Sequence, residues 1–147
     1  ACQMGSLIKQ LNENKENALK TFGTNFGIAF QLIDDALDYS SSAKKLGKNI
    51  GDDFKEGKIT MPIILAYLRC NKKEKIFWNR TIKKLNQKPN DLIKGINLIN
   101  KYNCVEDTIT RAEHFSSIAL DSLGIFEDNE YKIALLNLVR SSQERIK

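Results

Sequence analysis

Histidine and tryptophan occur once each in these 147 residues, proline twice and cysteine three times. The single histidine, His114, stands on a helix-patterned stretch far from any acidic cluster and is expected to be structural or exposed. Cys2, Cys70 and Cys104 are odd in number and widely spaced. With no CxxC or Cys/His set, neither zinc nor a disulfide framework is expected, and a reducing cytoplasm is the expected compartment. No strand-period run and no internal repeat is present, so the expected fold is all-α, a helical bundle. The longest clean apolar run, Met61 to Leu68, is far short of a membrane span, and no signal peptide is visible.

A hydrophobic fraction of 41% with 28% charged residues is that of a soluble globular protein, long enough for one helical domain over 1–147 with a genuine core. The net charge is +5. Its small clusters, Lys72-Lys73, Lys75 and Lys83-Lys84, lack the interleaved aromatics of a nucleic-acid platform and read as solvated helix faces.

What is present in unusual density is acid. In Phe30-Gln31-Leu32-Ile33-Asp34-Asp35-Ala36-Leu37-Asp38, inside an apolar helical pattern, Gln31, Asp34 and Asp38 share one face and Asp35 lies beside them. Three clustered carboxylates repel one another unless a cation joins them. A hard divalent ion such as magnesium takes such oxygens and shares them with substrate phosphates. The other reading is a solvated helix face. The stretch from Ser40 to Lys58 is aperiodic and rich in Ser, Gly, Lys and Asp, too long to be a casual connection. It places Lys48 and Lys58, which neutralise phosphate as point charges, after the carboxylates.

Helices are expected from Ala1 to Leu11, from Glu16 to about Tyr39, and from Met61 to Cys70. The first break, Asn12 to Asn14, offers an N-cap. The second helix carries Leu19, Phe22, Phe26, Ala29, Phe30, Ile33 and Leu37 on its buried side, and Gly23 and Gly27 suggest a close neighbour. The third helix, capped by Thr60 with Pro62 in its first turn, is apolar nearly all round and expected to be buried. Further helices run from Glu74 to Leu85, with Trp78 as packing, from Pro89 to Tyr102 and from Glu106 to Leu123, with Gly124 at C′. Asp128 is expected to cap the last, Glu130 to Arg145.

FQLIDDALD, then GK, a further Asp and GKITMP resemble the second aspartate-rich region of the trans-type polyprenyl diphosphate synthases, most like the longer-chain, octaprenyl-like branch. The later helices match that family's C-terminal region more generically. The resemblance implies the C-terminal part of an isoprenoid-synthase-type fold and magnesium-dependent condensation of isopentenyl diphosphate with an allylic diphosphate. Related terpene cyclases also bind metal diphosphates, but GK to KITMP points to chain elongation. Carried over, Asp34, Asp35 and Asp38 are the magnesium residues, Asp35 as ligand or support. Lys48 and Lys58 hold the allylic diphosphate, Phe30 and Gln31 lie near the reacting tail, and Asp53, rather than Asp52, supports a metal-bound water or a lysine. The family's Lys-Thr motif and first aspartate-rich motif are not in these residues. The chain starts at Ala1 in a helical pattern, so a piece of something longer is expected, with exposed apolar faces and a homodimer or a complementary N-terminal half as partner. The alternative is a truncated, non-catalytic interaction module.

Overall fold

The computed structural model describes residues 2–40 and 50–145, and every regular element among them is helical. In chain order these are α1 (Cys2–Ile8), α2 (Glu13–Leu37), α3 (Asp52–Glu56), α4 (Met61–Arg69) and α5 (Lys72–Trp78), the last continued by a π-helical turn (Asn79–Lys83). Then come α6 (Asp91–Lys101), α7 (Cys104–Ser122), a 3₁₀ turn (Leu123–Ile125) and α8 (Glu130–Glu144). By contacts the chain forms two compact units: residues 1–33 with 110–147, and Asp34–Ile109.

In the first unit, Asn12 accepts from the Lys15 N–H at 3.0 Å and caps α2. Phe22, Ala119, Leu123 and Val139 form its buried core. The expectation about the α2 glycines divides. A Cβ on Gly23 would meet Cys2 Cβ at 3.0 Å, so α1 lies close, whereas Gly27 faces open space. Phe30, expected on the buried side, is 42% exposed, with the Arg145 guanidinium 5.1 Å from its ring centroid. At the end of α7 the chain tightens into the 3₁₀ turn, so Gly124 is not a left-handed C′ residue. The α8 cap is Asn129, not Asp128. Its side chain takes the Lys132 N–H at 2.9 Å, while Asp128 binds the Lys132 ammonium at 2.8 Å.

The second unit is organised by aromatic packing. Phe54 of α3 lies edge-on to Trp78 at 6.2 Å and against Phe77 at 6.5 Å, beside buried Ile63, Leu65 and Ile99. Trp78 is thus a packing residue. A Cβ on Gly95 of α6 would come within 2.8 Å of the Phe54 ring, and glycine is what lets the two helices meet. The stretch expected to be irregular contains α3, held between Gly51 and Gly57, both left-handed at φ 79° and 71°. Helix α4 is not buried all round: Ile63, Leu65 and Ala66 face the core, while Leu68 is 68% exposed. The Glu74–Leu85 helix is α5 plus the π turn, and its Ile76 points to solvent.

Asn71 and Glu74 make a reciprocal capping box at α5, and Glu74 also accepts from Lys101 Nζ at 2.8 Å and the Tyr102 hydroxyl at 2.7 Å. The Lys101 bond first, then the Asn71 N–H and the Tyr102 hydroxyl, hold its carboxyl at about 2, below the usual 4.5. A carboxyl depressed by folding contributes stability that is complete above its unfolded pKa and is lost as the pH falls through the folded one. Glu74→Gln is therefore expected to flatten the loss of stability between pH 4.5 and about 2, read by urea unfolding across that window.

Candidate functional site

The acidic segment ends α2, and its aspartates are placed by the helices that follow. Asp35, 8% exposed, accepts the Met61 N–H at 3.0 Å. Thr60 occupies the N-cap position of α4 with extended backbone, yet its side chain makes no capping bond. The carboxylate of Asp35 does that work instead, where the helix dipole favours negative charge. Asp38 is used alike: Oδ1 accepts from the Asp52 N–H and Oδ2 from the Asp53 N–H, each at 3.2 Å, at the start of α3. Its own N–H still closes the last turn of α2 on the Asp34 carbonyl at 3.2 Å.

Burial is the main cause that lifts the Asp38 carboxyl above its usual range. The Asp53 charge lifts it further, and the two backbone N–H bonds oppose the rise. Lys58, one residue beyond Gly57, binds Asp53 Oδ1 and Glu56 Oε2, each at 2.9 Å, and its ammonium is pushed up chiefly by the Asp53 bond. The neighbouring Asp52 pairs with Lys55 at 2.8 Å. Second-unit geometry thus collects Asp35, Asp38, Asp53 and Lys58 around the α3 and α4 N-termini. Asp34 is half-buried. In the first unit, Gln31 is exposed and Phe30 lies under Arg145. Lys48 falls outside the described residues.

Tyr39 and Thr60 escape a sequence reading. Both are buried beside the aspartates, with the Thr60 hydroxyl near enough to act on the Tyr39 phenol. Burial pushes the Tyr39 phenol up, the Thr60 hydroxyl opposes this, and the Asp38, Asp53 and Asp35 charges add to it. The position of Tyr39, directly after the acidic motif, was the only available signal.

Among the described residues no three His, Cys, Asp or Glu side chains converge as a metal cage. A magnesium ion needs only one or two carboxylates when phosphate oxygens complete its shell. The donors present are hard oxygens, and the mutual repulsion felt at Asp38 is what a cation would relieve. The residues described therefore fit a hard, oxygen-preferring cation such as magnesium.

The chain is all-α, and Asp35, Asp38, Asp53 and the Lys58 ammonium gather where two of its helices start. Residues 1–99 match the family model described as polyprenyl synthetase, and the chain belongs to that family. It is 32% identical over 145 residues to the octaprenyl diphosphate synthase of Haemophilus influenzae, covering 99% of this chain and 44% of that protein. The structure is similar to that of a decaprenyl diphosphate synthase from Rhodobacter capsulatus at TM-score 0.90 and 35% identity, covering 99% of this chain and 45% of the other. A polyprenyl synthase from Caulobacter crescentus, complexed with calcium and isoprenyl diphosphate, superposes with TM-score 0.83 at 36% identity, covering 99% and 44%. The chain thus spans less than half the length of these relatives.

Loss of the Asp35 cap orphans a backbone N–H in a half-buried place. Asp35→Ala is expected to lower the free energy of unfolding by about 1–2 kcal/mol. Asp35→Asn, which keeps an acceptor, is expected to restore most of that loss, as urea denaturation would show.

Proposed function

We propose that this chain supplies the diphosphate-binding part of a long-chain trans-polyprenyl diphosphate synthase. The observation that carries the reading is the gathering of Asp35, Asp38, Asp53 and Lys58 at the α3 and α4 N-termini in a member of this family, with Asp34 one residue before Asp35 on the same helix end. The substrates are an allylic prenyl diphosphate and isopentenyl diphosphate. The allylic C–O bond breaks with its electron pair leaving on diphosphate, the double bond of isopentenyl diphosphate attacks the cation, and loss of a proton restores an alkene.

The difficulty of that reaction is separating diphosphate from a carbocation next to apolar surface. Magnesium, when bound, supplies positive charge where the leaving group becomes more negative. Asp34 and Asp38 would hold it, and Asp35, committed to the α4 N-terminus, supports them. Lys58 meets a diphosphate oxygen as a point charge, and Asp53 orients that ammonium while it waits. Lys48 joins it by the family match. Phe30 and Gln31 lie near the reacting tail by the same match. Calcium with isoprenyl diphosphate in the Caulobacter structure supports the pairing of a hard cation with this ligand class. Compartment follows chemistry: Cys2, Cys70 and Cys104 are all free thiols, which supports a reducing cytoplasm, and among the described residues no helix is long and apolar enough to cross a membrane.

A non-catalytic interaction module is the second reading, favoured by exposed Ile59, Leu68 and Ile76. Prenyl transfer from an allylic primer to radiolabelled isopentenyl diphosphate in magnesium separates the two. These 147 residues are assayed alone and with a complementary N-terminal half. Product that needs the added half, and that drops about a hundredfold or more with Asp34→Ala, is expected. Absence of product in both mixtures, with the protein folded, would leave the interaction module.

A further inference from the structure

Within the second unit, α4, α5 and the π turn frame an open apolar groove of about 320 Å³, lined by Ile59, Ile64, Tyr67, Leu68, Trp78 and Ile82 among others. Its polar lining is Asn79 and Lys83. Ile59 and Leu68 stand 71% and 68% exposed at its edge. Large apolar side chains grouped beside an open groove mark an interaction surface rather than scattered exposure.

The charge carried by the framing helices is one-sided. From Met61 to Lys88 the sequence has eight lysines and arginines and one carboxylate, Glu74. Glu74 is taken by Lys101, and Arg80 and Arg69 are taken by Asp91 and Asp107. Lys72, Lys73, Lys83 and Lys84 remain solvent-exposed on α5 and the π turn, and Lys75 sits 5.4 Å from the centroid of the Tyr67 ring that lines the groove. Of these, Lys83 lines the groove itself and Lys84 follows it directly in the chain.

We propose that this face docks on the surface of an anionic phospholipid bilayer. Lysines at the rim meet phosphate headgroups while their stems lie along apolar surface, and Ile59, Ile64 and Leu68 enter the boundary of the acyl region. A second copy of the chain is the poorer occupant, because it would bring the same positive rim against itself. Nucleic acid is poorer too, because the groove between the lysines is aliphatic and offers no stacked aromatic platform. The inference goes beyond the catalytic reading and stands without it.

Trp78 is the only tryptophan and lines the groove, so it reports on occupancy directly. The full chain is mixed with vesicles of phosphatidylcholine alone or with added phosphatidylglycerol, some carrying brominated acyl chains. Co-sedimentation with the anionic vesicles only, weakened by salt and accompanied by bromine quenching of Trp78, is expected. The pair Lys83→Glu with Lys84→Glu should weaken binding by at least about fivefold per lysine removed, and Leu68→Ser should reduce quenching while leaving the melting temperature unchanged. The matched pair Lys9→Glu with Lys20→Glu, in the other unit, should lose far less. Equal loss in both pairs would overturn the assignment, as would equal binding to neutral vesicles or no binding. Self-association abolished by Leu68→Ser, in the absence of lipid binding, would instead assign the groove to a second copy.

Discussion

Like charges crowded at the end of one helix are the constraint on which the second unit depends. Asp34, Asp35 and Asp38 lie within five residues at the end of α2, and side-chain repulsion alone would loosen that end. The structure answers with backbone. Asp35 faces the first N–H of α4 and Asp38 faces two N–H groups of α3, so two carboxylates meet the positive ends of two helix dipoles. The same contacts fix where α3 and α4 begin, and hence where Lys58, between them, can reach. Gly51 and Gly57 make the tight entry and exit possible through left-handed backbone, and a side chain at either would also collide with Leu92 or Leu85.

That dual use changes how the acidic motif is understood. An aspartate in a metal-binding pattern invites a purely chemical role, yet Asp35 is buried and spends an oxygen on a helix start. The carboxylates are held in place before any cation arrives, so the ordering cost of assembling them falls on folding rather than on ligand binding. In a member of the polyprenyl synthetase family, this is preorganisation of charge by the fold itself.

The all-α class and most helix positions were legible because apolar spacing at three and four residues survives in α1, α2, α6 and α7, and Asn12 behaves as its composition suggests. The family was legible because the order of the motif from Gln31 to Pro62 is specific. Other features depend on partners distant in sequence. Nothing local says that Thr60 would yield its capping role to Asp35, or that Asn129 would outcompete Asp128 for the Lys132 N–H. Helix α4 has an apolar pattern too complete to show which side meets neighbours, and only the packing of Trp78 and Ile99 reveals that the Leu68 side stays open. α3 was hidden because five residues between glycines carry no periodic signal.

The Asp35 bond also sets an order of events in time. Its donor and acceptor are 26 residues apart, so the first turn of α4 has no cap until the intervening chain has closed and the end of α2 is in place. Loop closure of that length is entropically costly, and a nine-residue helix without a cap is marginal by itself. The start of α4 is therefore capped only when it meets the end of α2, so its first turn and the acidic segment are stable together or not at all.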